Sequence, residues 1–321
     1  MKTKVAIIGA GAIAKHLSAR LESKGISVRF SINRSHARPS FEILLAKEKP
    51  QAIFLTISTL DRGEAARDYI IACVKAGIPV ITCEKGALAY HTEALRPYLD
   101  QIGFSATVGG GTRMLKYVKG RHVTEKQVEI HAVINGSLNF IFSEMRDSGR
   151  SLGEACEEAG KLGYAEPGAN DPLSLINGEL KDVIMKTCVF FNTVLAKEKL
   201  VTPDQFGLLK QTANDLERLS EEGGDYRMVV SFSNRPTTKE HPFFGKKFAL
   251  YHVNGWHITG GFRQITQSSQ LTSWLPGGIG NAVHIIEGDL GSGGKYTLSG
   301  PGAGHEPTTS AMLADFYELC Q

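Results

Sequence analysis

The chain has 321 residues, 42% of them hydrophobic and 21% charged, with a formal net charge of +3. A chain of that length buries a proper core and has room for two domains, and its composition is that of an ordinary globular protein. The nearly balanced charge is spread along the sequence, which argues against a nucleic-acid-binding surface, and no apolar run is long enough to span a membrane.

In the first half, short apolar runs alternate with amphipathic segments. KVAIIG (4–9) reads as a buried strand and AIAKHLSARLESKG (12–25) as a helix stopped at Gly25. VRFSIN, SFEILLAKEK, AIFLTI, EAARDYIIACVKAG and IPVITC follow as further strand and helix segments, the fourth with Lys75 in its last turn and Gly77 as its stop. Alternation at this spacing predicts a parallel sheet with helices on both faces. KYVKGRH (116–122) reads as a solvated loop, KQVEIHAVI as a strand and SLNFIFSEM as a helix after Gly136. Ser151 and Glu154 have the spacing of a capping box, opening a helix to Lys161 with Gly163 just past its end. Helical character resumes over 179–196 and from Pro203 to about Leu219. Short strands with Gly turns fill Tyr226 to Ser299, and PTTSAMLADFYELC is a closing helix with Pro307 at its start. There is no internal repeat.

The N-terminus sets basic residues before an apolar run, but that run is too short for a signal peptide, and its glycines have a better explanation. The cysteines at 73, 83, 156, 188 and 320 show neither Cys-x-x-Cys nor Cys/His ligand spacing, which predicts reduced thiols in the cytoplasm.

GAGAIA (9–14) leaves a predicted strand and opens a predicted helix. In that context Gly9 makes the tight turn, Gly11 lets backbone approach a pyrophosphate, and Ala14 allows close helix–strand packing. Ala12 and Ile13 belong to the same loop. This predicts an α/β protein with a Rossmann-type dinucleotide-binding domain. An NAD site usually ends its second strand with an acid, whereas SINRSHARPS (31–40) has none and offers Arg34 and Arg38 to a 2′-phosphate. NADP is therefore expected, with NAD as the alternative. Ser58 and Thr59 follow AIFLTI at the carboxyl edge of the sheet, where such folds bind ligands.

LGYAEPGANDPLSLINGELKDVIMK (162–186) holds Glu166, Asp171, Glu179, Asp182 and Lys186. Asp182 and Lys186 are four apart and share a helix face with Glu179. Alone, that spacing marks a surface salt bridge; the apolar Val183, Ile184, Val189 and Phe190 beside it point to burial.

The chain resembles the homoserine dehydrogenase family along nearly its whole length. The resemblance rests on GAGAIA, TCEKGALA (82–89), ATVGGGTRML (106–115), INGSLNFIFSEM (134–145) and AGKLGYAEP (159–167), on Asp182-x-x-x-Lys186, and on NAVHIIEGD (281–289) and SGPGAGHEPTTSAMLADF (299–316). Each match alone is weak, and their order carries the resemblance. It implies NAD(P)-linked interconversion of L-aspartate 4-semialdehyde and L-homoserine. It also implies a nucleotide-binding domain over 1–128, with a helix over 305–321 returning to it, and an α+β catalytic and dimerisation domain over 129–304. Glu166 and Asp182 would hold the substrate, Lys186 would be the acid/base lysine, and Lys85 a second lysine near the nicotinamide. Gly163 and Gly304 would lie beside the cofactor. A lysine can protonate the aldehyde oxygen as hydride arrives, and a second lysine with partial burial would lower its pKa toward neutrality.

Three departures stand out. Glu84 replaces the Asn that usually precedes the first lysine, which bears on that lysine's pKa and on cofactor contacts. The loop from Gly178 to Asp182 is two residues longer than usual, so Glu179 competes with Asp182; Asp182 keeps the four-residue spacing to Lys186. Family members often bind a monovalent cation such as Na+ near the glycine run, at positions matching Ser105, Val108, Gly110 and Thr112. Ser105 stands where they have a glutamate, so one anionic ligand is missing and main-chain carbonyls are left to hold Na+.

The chain ends soon after its last helix, so neither a fused kinase nor threonine inhibition through an appended domain is expected. Two other readings stay open. ITCEKGALA also resembles the Glu-Lys-Pro motif of sugar and polyol dehydrogenases, with Gly86 in place of the proline. Glu84 and Ser105 also suit a non-catalytic NADP-binding regulator, which would have no need of both Lys85 and Lys186.

Overall fold

The computed structural model describes residues 3–32, 38–165, 171–206, 210–221, 225–235, 244–265 and 274–320. The chain forms two compact units, Met1–Gly111 with His305–Gln321, and Thr112–Gly304. Segment 112–128, placed with the nucleotide-binding part on the sequence, thus groups with the second unit.

The first unit runs β1 (Lys4–Ile8), α1 (Ala12–Ser23), β2 (Ser27–Ile32), α2 (Arg38–Glu48), β3 (Ala52–Leu55), α3 (Glu64–Lys75), β4 (Val80–Thr82), α4 (Gly86–Tyr90), α5 (Thr92–Leu95) and β5 (Ile102–Gly103), and takes in the C-terminal α11 (His305–Cys320). The sheet is parallel, in the order β2-β1-β3-β4-β5. Strand order reverses between β1 and β3, which makes the carboxyl ends of these strands the switch point at which such sheets bind ligands. Apolar residues of β1, β3 and β4 pack with Leu17 and Leu21 of α1 and with Met312, Leu313 and Phe316 of α11 in one buried cluster. Each such side chain contributes about 1.5–3 kcal/mol by leaving water. These near-continuous apolar strands are what a sheet covered on both faces requires.

The second unit contains α6 (Met114–Gly120), β6 (Val128–Val133), α7 (Gly136–Ser148), α8 (Leu152–Lys161), α9 (Pro172–Phe190), α10 (Ala213–Glu221), β7 (Asp225–Ser233), β8 (Phe244–Val253), β9 (Trp256–Ile265), β10 (Gly280–Glu287) and β11 (Gly294–Pro301). Its strands form an antiparallel sheet in the order β11-β10-β6-β7-β9-β8. Phe142 of α7 meets Phe262 of β9 with ring centroids 5.0 Å apart, and Phe190 of α9 stacks on Phe232 of β7 at 4.7 Å.

Several local expectations are corrected. Residues 116–120 are helix and only 121–122 a turn: Met114, Leu115 and Val118 bury one face of α6, and the lysines occupy its exposed face. α9 begins at Pro172, seven residues before the expected start at 179, because the Asp171 side chain accepts from Ser174 N–H and Pro172 takes the first helical position. The Gly178–Asp182 stretch is therefore helix and not an enlarged loop. The helix expected from Pro203 to Leu219 is divided. A short turn at Pro203–Gln205 ends where Phe206 turns extended, and α10 starts afresh after a Thr212/Asp215 cap. β7 to β11 are eight to ten residues long and not short.

Candidate functional site

β1 ends at Ile8, and Gly9 follows with φ of 132°, its N–H donating to Ile32 O at 2.8 Å. A Cβ on Gly9 would overlap Thr56, the residue leaving β3, so the turn is closed by a contact that only glycine permits. A Cβ on Gly11 would meet nothing within 4 Å, and no side chain caps the first turn of α1. Ala14 is buried in the core, Ile13 packs at the cluster's edge and Ala12 is exposed. An open backbone turn ahead of uncapped helix N–H groups fits a pyrophosphate. Arg34 lies outside the described residues, as does the side chain of Arg38. Ser58 is exposed and Thr59 half-buried just past β3.

Lys85 is half-buried between β4 and α4. Its neighbour Glu84 is buried and turns back into the chain. Oε1 accepts from Gly86 N–H at 2.6 Å and from the Thr59 hydroxyl, and Oε2 accepts from Ala87 N–H at 2.9 Å. The Thr59 hydroxyl is thus donated inward to this carboxylate. Burial pushes the preceding Cys83 thiol up to about 11, while the charge on Lys85 pulls it the other way.

In the second unit, Lys186 Nζ pairs with Asp182 Oδ2 at 2.7 Å, with the side chains only 12% and 16% exposed. This is a nearly enclosed ion pair, unlike the solvated surface pair that such spacing usually marks. Asn135 was missed on the sequence. Its Oδ1 accepts Leu138 N–H at 2.8 Å, capping α7, and its Nδ2 donates to Glu179 at 2.7 Å and to Asp182 at 3.2 Å. One asparagine therefore ties the start of α7 to two carboxylates one turn apart on α9, so Glu179 and Asp182 share a partner. The legible signal was an Asn just ahead of Gly136 at a helix start. An amide, two carboxylates and a lysine, set near the positive end of a helix, form a polar cluster suited to a small charged substrate. Glu166 lies outside the described residues.

Gly163 follows α8 with φ of 71°, and the next residue's carbonyl, that of Tyr164, accepts from Ser137 of α7. Gly304 closes the second unit with φ of 103°. Of the positions matched to a cation, Ser105, Val108 and Gly110 lie in the first unit and Thr112 in the second. Ser105 N–H and Oγ–H both donate to the buried Asp315 carboxylate, at 2.7 and 2.6 Å. The Ser105 side chain is therefore engaged as a donor, and its position supplies no anionic ligand. Among the described residues no cluster of three or more His, Cys, Asp or Glu is arranged to hold a metal ion.

A family model described as homoserine dehydrogenase matches residues 114–317. Among curated relatives, a homoserine dehydrogenase of Lactococcus lactis is 25% identical over 274 residues, covering 83% of this chain and 57% of its own length. One from Corynebacterium glutamicum is 25% identical over 313 residues, covering 94% and 65%. The chain thus spans less than two thirds of the length of these relatives. Among solved structures, a homoserine dehydrogenase from Thiobacillus denitrificans superposes with a TM-score of 0.71 at 22% identity, over 100% of this chain and 73% of that one. A hyperthermophilic archaeal homoserine dehydrogenase solved in complex with NADPH gives 0.66 at 20% identity, over 99% and 98%. With more than half of its residues matched by that model, the chain belongs to the homoserine dehydrogenase family.

Proposed function

We propose that the chain is a homoserine dehydrogenase that interconverts L-aspartate 4-semialdehyde and L-homoserine and prefers NADP(H) to NAD(H). The observation that carries this reading is the enclosed Asp182–Lys186 pair, joined through Asn135 to Glu179. The nicotinamide, when bound, supplies or removes the hydride. Lys186 does the work at the substrate oxygen, stabilising its growing negative charge in reduction and delivering a proton to it, with the reverse in oxidation. Asp182 holds Lys186 Nζ in one place and, with Glu166, receives the substrate ammonium. Lys85 would act beside the nicotinamide when the cofactor is bound.

The preference for NADP rests on the missing acid after β2 and on Arg34 and Arg38 in its place. One relative, from Pseudomonas canavaninivorans, is named as NAD(+)-dependent, so cofactor choice varies among the chain's relatives. The free cysteines suit a cytoplasmic enzyme of threonine and methionine biosynthesis. A homodimer forms through the strand-rich part of the second unit. A monovalent cation at Val108, Gly110 and Thr112 would be held by main-chain carbonyls without an anionic partner at Ser105, whose hydroxyl is donated to Asp315.

The test is Lys186→Ala in folded, cofactor-binding protein. Turnover of homoserine falls by about 10²–10⁴-fold, the usual contribution of a positioned acid/base group. Retention of most of the activity would remove Lys186 from the reaction.

A further inference from the structure

Glu84 departs from the family pattern, and the first unit shows what it does. Its carboxylate is only 2% exposed, and three donors converge on it: the N–H groups of Gly86 and Ala87, and the Thr59 hydroxyl. An ionised carboxylate is acceptor-only, so it satisfies all three, whereas an amide in its place would turn hydrogens toward one of them. The first two bonds close the chain around Lys85, the residue between Glu84 and Gly86. The third ties that turn to the loop leaving β3.

The two loops leave no slack. Gly63, with φ of 78°, presses on Gly86 and Ala87 so closely that a Cβ there would overlap their backbone. A Cβ on Gly86 would lie 2.8 Å from Glu84 Oε1, and Gly63 N would be 3.1 Å away. Gly86 also gives Glu84 an N–H that the proline of a Glu-Lys-Pro motif lacks. Asp61 and Arg62, just ahead of Gly63, take φ of 46° and 59°, a conformation uncommon for residues with side chains. Such a loop persists because its surroundings over-determine it, and Glu84 contributes a polar tie through Thr59 to those surroundings.

We propose that Glu84 is a positioning residue: its carboxylate, clasping Thr59, Gly86 and Ala87, fixes the backbone from which Lys85 is presented. This rests on the reading of Lys85 as an active-site lysine. It also gives Thr59 a task, to lock the clasp.

The test uses Glu84→Gln, Thr59→Val and Thr59→Ser in the full chain, with thermal unfolding and NADPH binding measured beside kcat and KM. A misdirected lysine costs catalysis, so Glu84→Gln lowers kcat by about tenfold or more while NADPH affinity changes by less than about threefold. Thr59→Val, which removes a donor, falls below Thr59→Ser, which keeps it. A second readout does not depend on turnover: the rate at which an amine-selective acylating reagent modifies Lys85, followed by peptide mass spectrometry with Lys186 as internal reference. In folded Glu84→Gln the Lys85 rate changes by more than about threefold relative to Lys186, as expected of a group whose access and hydrogen bonding have altered. If wild type turns over no homoserine, the functional reading fails and the modification rate alone decides the role of Glu84. Unchanged Lys85 reactivity, or a kcat loss that only mirrors loss of folded protein, overturns the proposal.

Discussion

Asp315 is fully buried, and both donors of Ser105 end on its carboxylate, with Gly103 packed so close that a Cβ there would come within 2.7 Å of Asp315 Cβ. Removing the carboxylate strands two buried donors, so Asp315→Ala destabilises the first unit by about 2–4 kcal/mol, read as a fall in its denaturant midpoint. The same contact bears on cations. Replacing Na+ by a bulky organic cation at constant ionic strength changes the homoserine-dependent rate less than about twofold, since a site without its anionic ligand holds a cation weakly. A strict Na+ requirement would show instead that main-chain carbonyls hold a cation there without an anionic ligand at position 105. None of this was legible in the sequence, where Ser105 and Asp315 stand 210 residues apart. Asp182 and Lys186 were legible because a helix turns a four-residue spacing into a contact. Asn135 was not, because its second partnership, with α9, spans 44 residues. Asn139, on the next turn of α7, holds the carbonyls of Pro276, Gly278 and Gly280 at 2.9, 3.0 and 3.0 Å from its Nδ2.

Among the elements, the strongest local chemistry is legible in the sequence. Ser151 and Glu154 form a complete capping box, with Glu154 N–H donating to Ser151 Oγ at 3.3 Å and Ser151 N–H donating to Glu154 at 2.8 Å. Ser151→Ala lowers stability by about 1 kcal/mol, measured by chemical denaturation. The first unit's alternation was equally plain, since buried parallel strands are apolar throughout. The start of α9 is hidden in the sequence because Gly178 and the Pro- and Gly-containing stretch before it look like breakers, while the Asp171 cap with Pro172 starts the helix upstream. Gly178 is exposed within that helix, and a Cβ there would meet nothing within 4 Å. Gly178→Ala therefore raises stability by about 0.5–1 kcal/mol through the entropy of the unfolded chain, and a lowered melting temperature would show that the helix needs glycine there. α6 is masked in the sequence because its lysines dominate a short segment whose buried face has three apolar residues, Met114, Leu115 and Val118.

For the whole molecule, what the family model shows is membership, and what the two units show is architecture: a parallel nucleotide-type sheet that recruits the C-terminal helix, and a six-stranded antiparallel sheet carrying α7 and α9. Dimerisation predicts a solution mass near twice 34.8 kDa by light scattering, and a monomer at working concentration would remove that part of the proposal. No helix among the described residues is long and apolar enough to cross a membrane. The central claim is the reaction itself. Its most direct measurement is the rise in nicotinamide absorbance when purified protein meets L-homoserine with NADP or with NAD. Homoserine-dependent reduction, faster with NADP, is the predicted result. Absence of turnover with either cofactor and in either direction, in folded protein that binds the nucleotide, would contradict it.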